Sequence, residues 1–135
     1  MERTEKFAEI LTSTRIKILK ELKEEKHPQE LAERMRMTRQ GVDKHLSILY
    51  KYGLVEKRVK FKKRPMIFYI LTPEGEELLG NIEDAIESFI LSIRNKYKEE
   101  IFNLDRMLVD GKIEENTYWE RRRKMEERFS WVKDI

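Results

Sequence analysis

The sequence contains no cysteine and only two histidines, five glycines and three prolines among its 135 residues. The absence of cysteine excludes disulfide bonds, thiolate metal sites and cysteine nucleophiles together. Because so few nitrogen and sulfur ligands remain, we expect no bound metal and no cofactor. Neither end has an apolar stretch long enough for a signal peptide or a membrane span, so we expect a cytoplasmic protein that does not bind membranes.

Sequence motifs for enzymatic chemistry are missing as well. There is no glycine-rich phosphate loop, no HExxH pair and no G-x-S-x-G turn. The adjacent acids Glu76–Glu77 and Glu99–Glu100 would point apart on a helix, so neither pair makes an acid–base dyad. The sequence therefore predicts a protein that is not an enzyme.

Charge is abundant and unevenly distributed. Charged residues make up 41% of the chain, against about 25% in an average globular protein, which indicates long solvated helices. Abundant Lys and Glu with few Gly and no Cys also fit a thermophilic source. Residues 1–73 hold 18 Lys/Arg against 10 Asp/Glu, whereas residues 74–135 hold 11 against 16. A basic first half and an acidic second half favour a polyanion-binding domain joined to a region with another role.

Helix start and stop signals divide the first half of the chain into short helices. Thr12 or Ser13 begins one, Pro28 fits the first position of the next, and Thr38 is a good N-cap for a third. Gly53 lies where a glycine in the left-handed conformation would end that third helix.

Two strands and a strong helix start follow. Residues 54–61 and 67–71 are rich in β-branched and aromatic side chains, and the polar connection between them predicts a β-hairpin. Thr72–Pro73–Glu74 combines a cap, a proline and an early carboxylate. The predicted fold is mainly α with one small hairpin: a winged helix-turn-helix followed by a long helix and a C-terminal helix.

The helix capped by Thr38 would have two different faces. Val42, Leu46 and Leu49 recur at helical spacing and would hold it to the body. The opposite face carries side chains that suit bases and phosphates, since Arg reads guanine, Gln reads adenine and a carboxylate accepts from cytosine. These candidate DNA-binding residues are Thr38, Arg39, Gln40, Asp43, Lys44 and Ser47. The hairpin adds a basic group for the phosphate backbone, formed by Lys60, Lys62, Lys63 and Arg64.

Two segments resemble a known family. Residues 38–58, TRQGVDKHLSILYKYGLVEKR, resemble the recognition helix and following strand of ArsR-type winged-helix regulators, in which H-L-x-x-L precedes G-L-V and a basic strand. Residues 69–75, YILTPEG, are similar to the end of the wing in archaeal ArsR- and MarR-like regulators. The resemblance covers roughly residues 8–80. It implies base-reading positions at Arg39, Gln40, Asp43 and Lys44.

The sequence departs from that family at two places. Asp43 stands where many members have serine, and because an acid repels phosphate it either reads cytosine or tethers a neighbouring Lys or Arg. Metal-sensing members carry cysteines where this chain has Lys-His-Pro-Gln at residues 26–29, so no metal site is implied. We expect His27 to cap a helix or lie at the surface, and His45 to pack partly against the body.

The second half predicts an interface between two copies. Apolar residues recur at steps of three and four, which predicts a helix over 73–109, a turn over 110–114 and a helix over 115–133. So long a stripe is typical of a helix that pairs with a partner, as in a coiled coil, although an intramolecular hairpin in a monomer is the alternative. The predicted dimer interface is Leu79, Ile82, Ile86, Phe89, Ile93, Tyr97, Ile101, Leu104 and Leu108.

The C-terminal segment has its own resemblance. Residues 104–119, LDRMLVDGKIEENTYW, are similar to the short helical motif called SHOCT, which implies a helical hairpin and no particular chemistry. The basic run at residues 121–124 could touch DNA. We expect it instead to form a solvated face paired with Glu120, Glu126 and Glu127 at helical spacing.

Together these features predict a DNA-binding domain over residues 1–73 and a helical dimerisation region over residues 74–135. The expected function is that of a sequence-specific regulator of transcription that binds an inverted repeat in double-stranded DNA as a homodimer. Repression is the default, because blocking a promoter requires only binding. The alternatives are a winged helix used as a protein-interaction module and a sequence-tolerant architectural DNA-binding protein. No effector is indicated.

Overall fold

The computed structural model describes residues 1–135, and it contains four helices, a two-stranded antiparallel sheet and three further helices in chain order. The elements are α1 Arg3–Ile10, α2 Ser13–Glu21, α3 Pro28–Met35, α4 Arg39–Lys51, β1 Val55–Phe61, β2 Pro65–Leu71, α5 Pro73–Val109, α6 Glu115–Phe129 and α7 Trp131–Asp134. None of the helices is long and apolar enough to cross a membrane. The chain divides into two compact units, Met1–Gly80 and Asn81–Ile135.

The first unit is built around one hydrophobic core. Apolar side chains of α2, α3 and α4 meet there, and the largest of them are almost completely buried. They include Ile18, Leu22, Leu31, Leu46 and Leu49. Helices of only 8 to 13 residues are marginal alone in water, so this shared core stabilises them.

Side-chain caps determine where these helices begin. The Thr12 hydroxyl accepts from the Arg15 N–H at 3.3 Å, and His27 Nδ1 accepts from the Gln29 N–H at 3.0 Å, which confirms the capping role expected of His27. Arg36 ends α3 in the left-handed conformation (φ 54°), so the chain turns sharply before α4. This turn places α3 and α4 side by side.

The hairpin pairs in register from Val55 opposite Leu71 to Phe61 opposite Pro65. The strands were predicted over 54–61 and 67–71, and β2 begins two residues earlier because Pro65 and Met66 extend the pairing to the turn. Lys26 adds a single antiparallel bridge to Tyr69, with backbone hydrogen bonds of 3.0 and 2.9 Å. The segment before α3 is thereby fixed to β2.

Thr72 joins the base of the hairpin to the start of α5. Its hydroxyl donates to the Gly53 carbonyl at 2.8 Å and accepts from the Gly75 N–H at 2.9 Å. Gly75 lies so close to the Leu54 carbonyl oxygen that an added Cβ would be 2.5 Å from it. A side chain at position 75 would therefore push the first turn of α5 away from the start of β1.

The second unit is an α-helical hairpin. Its first helix is the part of α5 from Asn81 onward, and Gly111, at φ 72°, lies in the turn before α6. Tyr97 of α5 packs on Phe129 of α6 with ring centroids 5.2 Å apart. The helix predicted over 115–133 is divided at Ser130 into α6 and α7.

Candidate nucleic-acid interface

Helix α4 is attached to the body by one face and presents the other to solvent. Val42, Leu46 and Leu49 are buried in the core of the first unit. The Thr38 hydroxyl accepts from the Gly41 N–H at 3.0 Å, so the N-terminus of α4 is capped at the surface. The six residues predicted to contact DNA from this helix and its cap are all exposed: Thr38, Arg39, Gln40, Asp43, Lys44 and Ser47.

Asp43 forms an ion pair with Arg39 one turn earlier on α4. The distance from Arg39 Nε to Asp43 Oδ1 is 3.1 Å. The sequence left two roles open for Asp43, reading cytosine or tethering a basic neighbour. In the structure Asp43 tethers Arg39. Exposed pairs of this spacing contribute only about 0.3–0.5 kcal/mol, so a stronger anionic partner can take the guanidinium from the carboxylate.

The hairpin carries the second group of exposed basic side chains. Lys60 pairs with Glu25, and its ammonium lies 5.2 Å from the centre of the Phe68 ring. Lys62, at 5.9 Å from the same ring, lies at the turn with Lys63 and Arg64, and all these basic residues are exposed. The turn is thus the most densely cationic part of the first unit.

The position of His27 relates this turn to α4. Its ring packs edge-on against Phe68 with centroids 5.6 Å apart. Its pKa is lowered from the ordinary histidine value, first by burial and then by the positive charges of Arg39 and Arg64. The carboxylates of Asp43 and Glu30 act on the same ring in the opposite direction, so charges of both signs surround His27 between the start of α4 and the hairpin.

Comparison with known proteins identifies the architecture. Residues 10–58 match a family described as a helix-turn-helix domain. No curated protein sequence gives a significant match. Three solved structures share the fold over most of the chain. A transcriptional regulator homologue from Pyrococcus horikoshii OT3 has 21% identity and a TM-score of 0.54, covering 66% of this chain and 97% of its own.

The other two structures give similar values. The putative HTH-type transcriptional regulator ytcD has 26% identity and a TM-score of 0.56, covering 70% of this chain and 99% of its own. A MarR-family regulator from Enterococcus faecalis V583 has 23% identity and a TM-score of 0.55, covering 73% and 94%. The fold is a winged helix-turn-helix. In it α3 and α4 form the helix-turn-helix and the β1–β2 hairpin is the wing.

His45, on the winged helix-turn-helix's α4, is half-buried as predicted, and it has a partner that the sequence did not indicate. Arg15 Nε donates to His45 Nδ1 at 3.1 Å, while the same guanidinium donates to the Glu9 and Ile10 carbonyls at 3.1 and 3.0 Å. Burial and then the Arg15 charge lower the pKa of His45. Its Nδ1 therefore serves as an acceptor inside the domain.

The residues predicted for a dimer interface lie in three different environments. Leu79 is buried in the core of the first unit, and Leu104 is buried within the second. Ile82, Ile93, Tyr97, Ile101 and Leu108 are partly covered, whereas Ile86 and Phe89 are exposed. The chain itself therefore covers part of the stripe, and no pairing with another copy is needed to bury Leu79 or Leu104.

The basic run of α6 forms the paired surface that was expected. Arg122 Nε lies 3.1 Å from Glu126, Arg123 lies 3.4 Å from Glu127, and Lys124 lies 3.5 Å from Glu120. Arg122 also donates to the Tyr118 hydroxyl, which raises the pKa of the guanidinium. These cations already have acidic neighbours, unlike those at the turn of the wing. Groups of three or more His, Asp or Glu side chains that could hold a metal are not found.

Proposed function

We propose that this chain is a double-stranded DNA-binding regulator of transcription that acts in the cytoplasm as a homodimer on an inverted repeat. The observation that carries the proposal is the winged helix-turn-helix with a solvent-exposed polar face on α4 and a wing that is strongly basic from Lys57 onward. From Lys57 to Leu71 the wing holds six Lys/Arg and no Asp/Glu. Such a combination of a groove-sized helix and a cationic hairpin suits DNA.

The two parts of the surface would have different roles. Arg39, Gln40 and Lys44 of α4 would contact base edges in the major groove, where one bidentate pair contributes about 1–3 kcal/mol of discrimination. Thr38, Ser47 and the wing residues Lys60, Lys62, Lys63 and Arg64 would position the domain on phosphates. Repression is the expected outcome at a promoter that such a dimer covers.

The finer relationship to ArsR-type regulators rests on the segments 38–58 and 69–75, and that to the SHOCT motif rests on 104–119. We propose both relationships on the strength of these segments. We also propose that residues 1–73 form the DNA-binding domain and that residues 74–135 form the dimerisation region.

The second unit supplies the support for a homodimer. Of the large hydrophobic side chains that the chain exposes, eight lie in its 55 residues: Ile86, Phe89, Leu91, Phe102, Val109, Trp119, Trp131 and Ile135. Exposed apolar surface of this density marks an interface. A second copy also provides a second α4, which lengthens the DNA sequence that is read.

The DNA-binding proposal is tested by titrating a fluorescent duplex from the gene's own upstream region, with a scrambled duplex as comparison, at two salt concentrations. We expect tighter binding to the upstream duplex, and we expect Arg39→Ala and Gln40→Ala to reduce that preference about 5- to 150-fold. Arg128→Ala, an exposed arginine of the second unit, is the matched control. Equal binding to both duplexes would favour the architectural alternative, and no binding would favour a protein-interaction module.

The homodimer is tested by light scattering at micromolar concentration, where one chain has a mass of 16.5 kDa. Ile86→Glu should shift the mass towards one chain. Asn95→Glu is the control, because Asn95 is an exposed polar residue of α5 outside the predicted interface. A single-chain mass for the unmodified protein would refute the dimer, and the helical hairpin would then be its whole C-terminal assembly.

A further inference from the structure

The wing has two chemically different faces. Residues paired across an antiparallel hairpin point to the same side, and the side alternates along each strand. One face therefore carries Val59 opposite Ile67 and Phe61 opposite Pro65. The other carries Arg58 opposite Phe68 and Lys60 opposite Met66.

The apolar face continues outward from the core of the first unit. It begins with Val55 and Leu71, which are buried. Further out, Lys57 on this face lies over the ring of Tyr50 on α4, 4.3 Å from its centre. Beyond that point the face is no longer covered by the rest of the unit. It therefore emerges beside the C-terminal end of α4, where Tyr50 lies.

The outer part of this face consists of large apolar side chains in water. Val59 is 55% exposed, Ile67 is 46% exposed and Phe61, at the end of β1, is 79% exposed. A hairpin that only supplied cations would need no such side chains, and polar residues would keep its edge from pairing with other chains. The exposed aromatic ring at the tip therefore indicates a contact with a partner.

The surroundings of Phe61 indicate what that partner is. Lys60 precedes it and Lys62, Lys63 and Arg64 follow it, with no acidic residue between Lys57 and Leu71. The minor groove of DNA has apolar sugar walls and two rims of phosphates, so an apolar side chain flanked by cations complements it. Apolar side chains inserted from the minor groove unstack a base step and kink the duplex.

We propose that Phe61 is an apolar wedge that enters the minor groove, partly unstacks one base step and bends the DNA, while Lys62, Lys63 and Arg64 hold the adjacent phosphates. Val59 and Ile67 support the ring from behind and lie against the sugars. This inference rests on the proposed DNA-binding function and adds a distortion of the duplex to it. The bend would also confer a preference for flexible pyrimidine–purine steps at the wing position.

The test uses the full-length protein and the upstream duplex in two labelled forms. Donor and acceptor dyes at the two ends report the bend through energy transfer. A fluorescent adenine analogue, 2-aminopurine, placed at successive steps reports unstacking through a rise in its emission. The variants are Phe61→Ala, Phe61→Leu, Lys63→Ala and, as an exposed phenylalanine of α1 outside the proposed interfaces, Phe7→Ala.

We expect the unmodified protein to bend the duplex by about 20° or more and to raise the emission at one step. Phe61→Ala should lose both signals at saturating protein and lower the affinity about tenfold, the scale of one base–aromatic contact. Phe61→Leu and Phe7→Ala should keep the bend. Lys63→Ala should also keep the bend at saturation, while it reduces the slope of log affinity against log salt by about one.

The outcomes separate this inference from the function on which it rests. Unmodified protein that binds the duplex without bending or unstacking it would overturn the wedge and leave DNA binding intact. A bend that persists in Phe61→Ala would overturn it as well. A protein that binds no duplex at all would instead refute the proposed function.

Discussion

Replacing Gly75 by alanine should destabilise the protein, whereas the same change at Gly80, five residues later on α5, should stabilise it. Alanine in place of glycine favours a helix by about 0.8–1 kcal/mol. At Gly80 an added Cβ meets no atom within 4 Å, so that gain is retained. At Gly75 the Cβ would be 2.5 Å from the Leu54 carbonyl oxygen, a backbone atom that cannot rotate away.

The size of the effect follows from these two contributions. Forcing an extra methyl into a closed contact costs about 1–3 kcal/mol, and at Gly75 it would also disturb the hydrogen bonds that Thr72 makes with Gly53 and Gly75. Because the gain in helix propensity is common to both positions, we expect the two variants to differ by about 1–3 kcal/mol, the cost of the close contact at Gly75. Urea unfolding followed by circular dichroism at 222 nm measures this difference. Equal stability of the two variants would refute the close approach of α5 to Leu54.

Three further predictions concern the first unit. Because burial lowers the pKa of both His27 and His45 below the ordinary 6.5, the unfolded chain takes up protons first, so stability should fall as pH drops below about 6.5; a pH series of urea midpoints that stays flat would contradict this. Leu46→Ala should cost about 2–5 kcal/mol in the same assay, whereas Ser47→Ala, its exposed neighbour, should change little. Thr38→Ala should cost about 1 kcal/mol through loss of the α4 cap, and an unchanged urea midpoint would show that the cap contributes nothing.

Local signals explain why most elements could be predicted from the sequence. Thr38 as a cap and the Thr72–Pro73 helix start involve residues within four positions of each other. The start of α4, the start of α5 and the approximate strands therefore follow from short stretches of chain. The division of the C-terminal helix into α6 and α7 could not be predicted in this way, because Ser130 keeps a helical backbone and no proline or glycine marks the position.

Contacts between distant residues could not be predicted from these patterns. Arg15 and His45 are 30 positions apart, and the ion pair of Glu25 with Lys60 spans the whole helix-turn-helix. Periodicity identifies which side chains are apolar, but it does not identify their neighbours. For the same reason the apolar stripe on α5 was predicted to be one interface, although Leu79 lies in the core of the first unit and Leu104 is buried in the second unit.

The ion pair between Arg39 and Asp43 has a consequence for how a DNA-reading helix would discriminate. A guanidinium that already has a carboxylate partner has less to gain from a nearby phosphate, because it only exchanges one anionic partner for another. A guanine offers two acceptors in the plane of the guanidinium and competes better. Once Arg39 has moved to a base, Asp43 remains without its cation beside the negative backbone unless a cytosine amino group approaches it. Since the pair is worth only about 0.3–0.5 kcal/mol, it would add a small penalty on incorrect sequences to the larger attraction for the correct one.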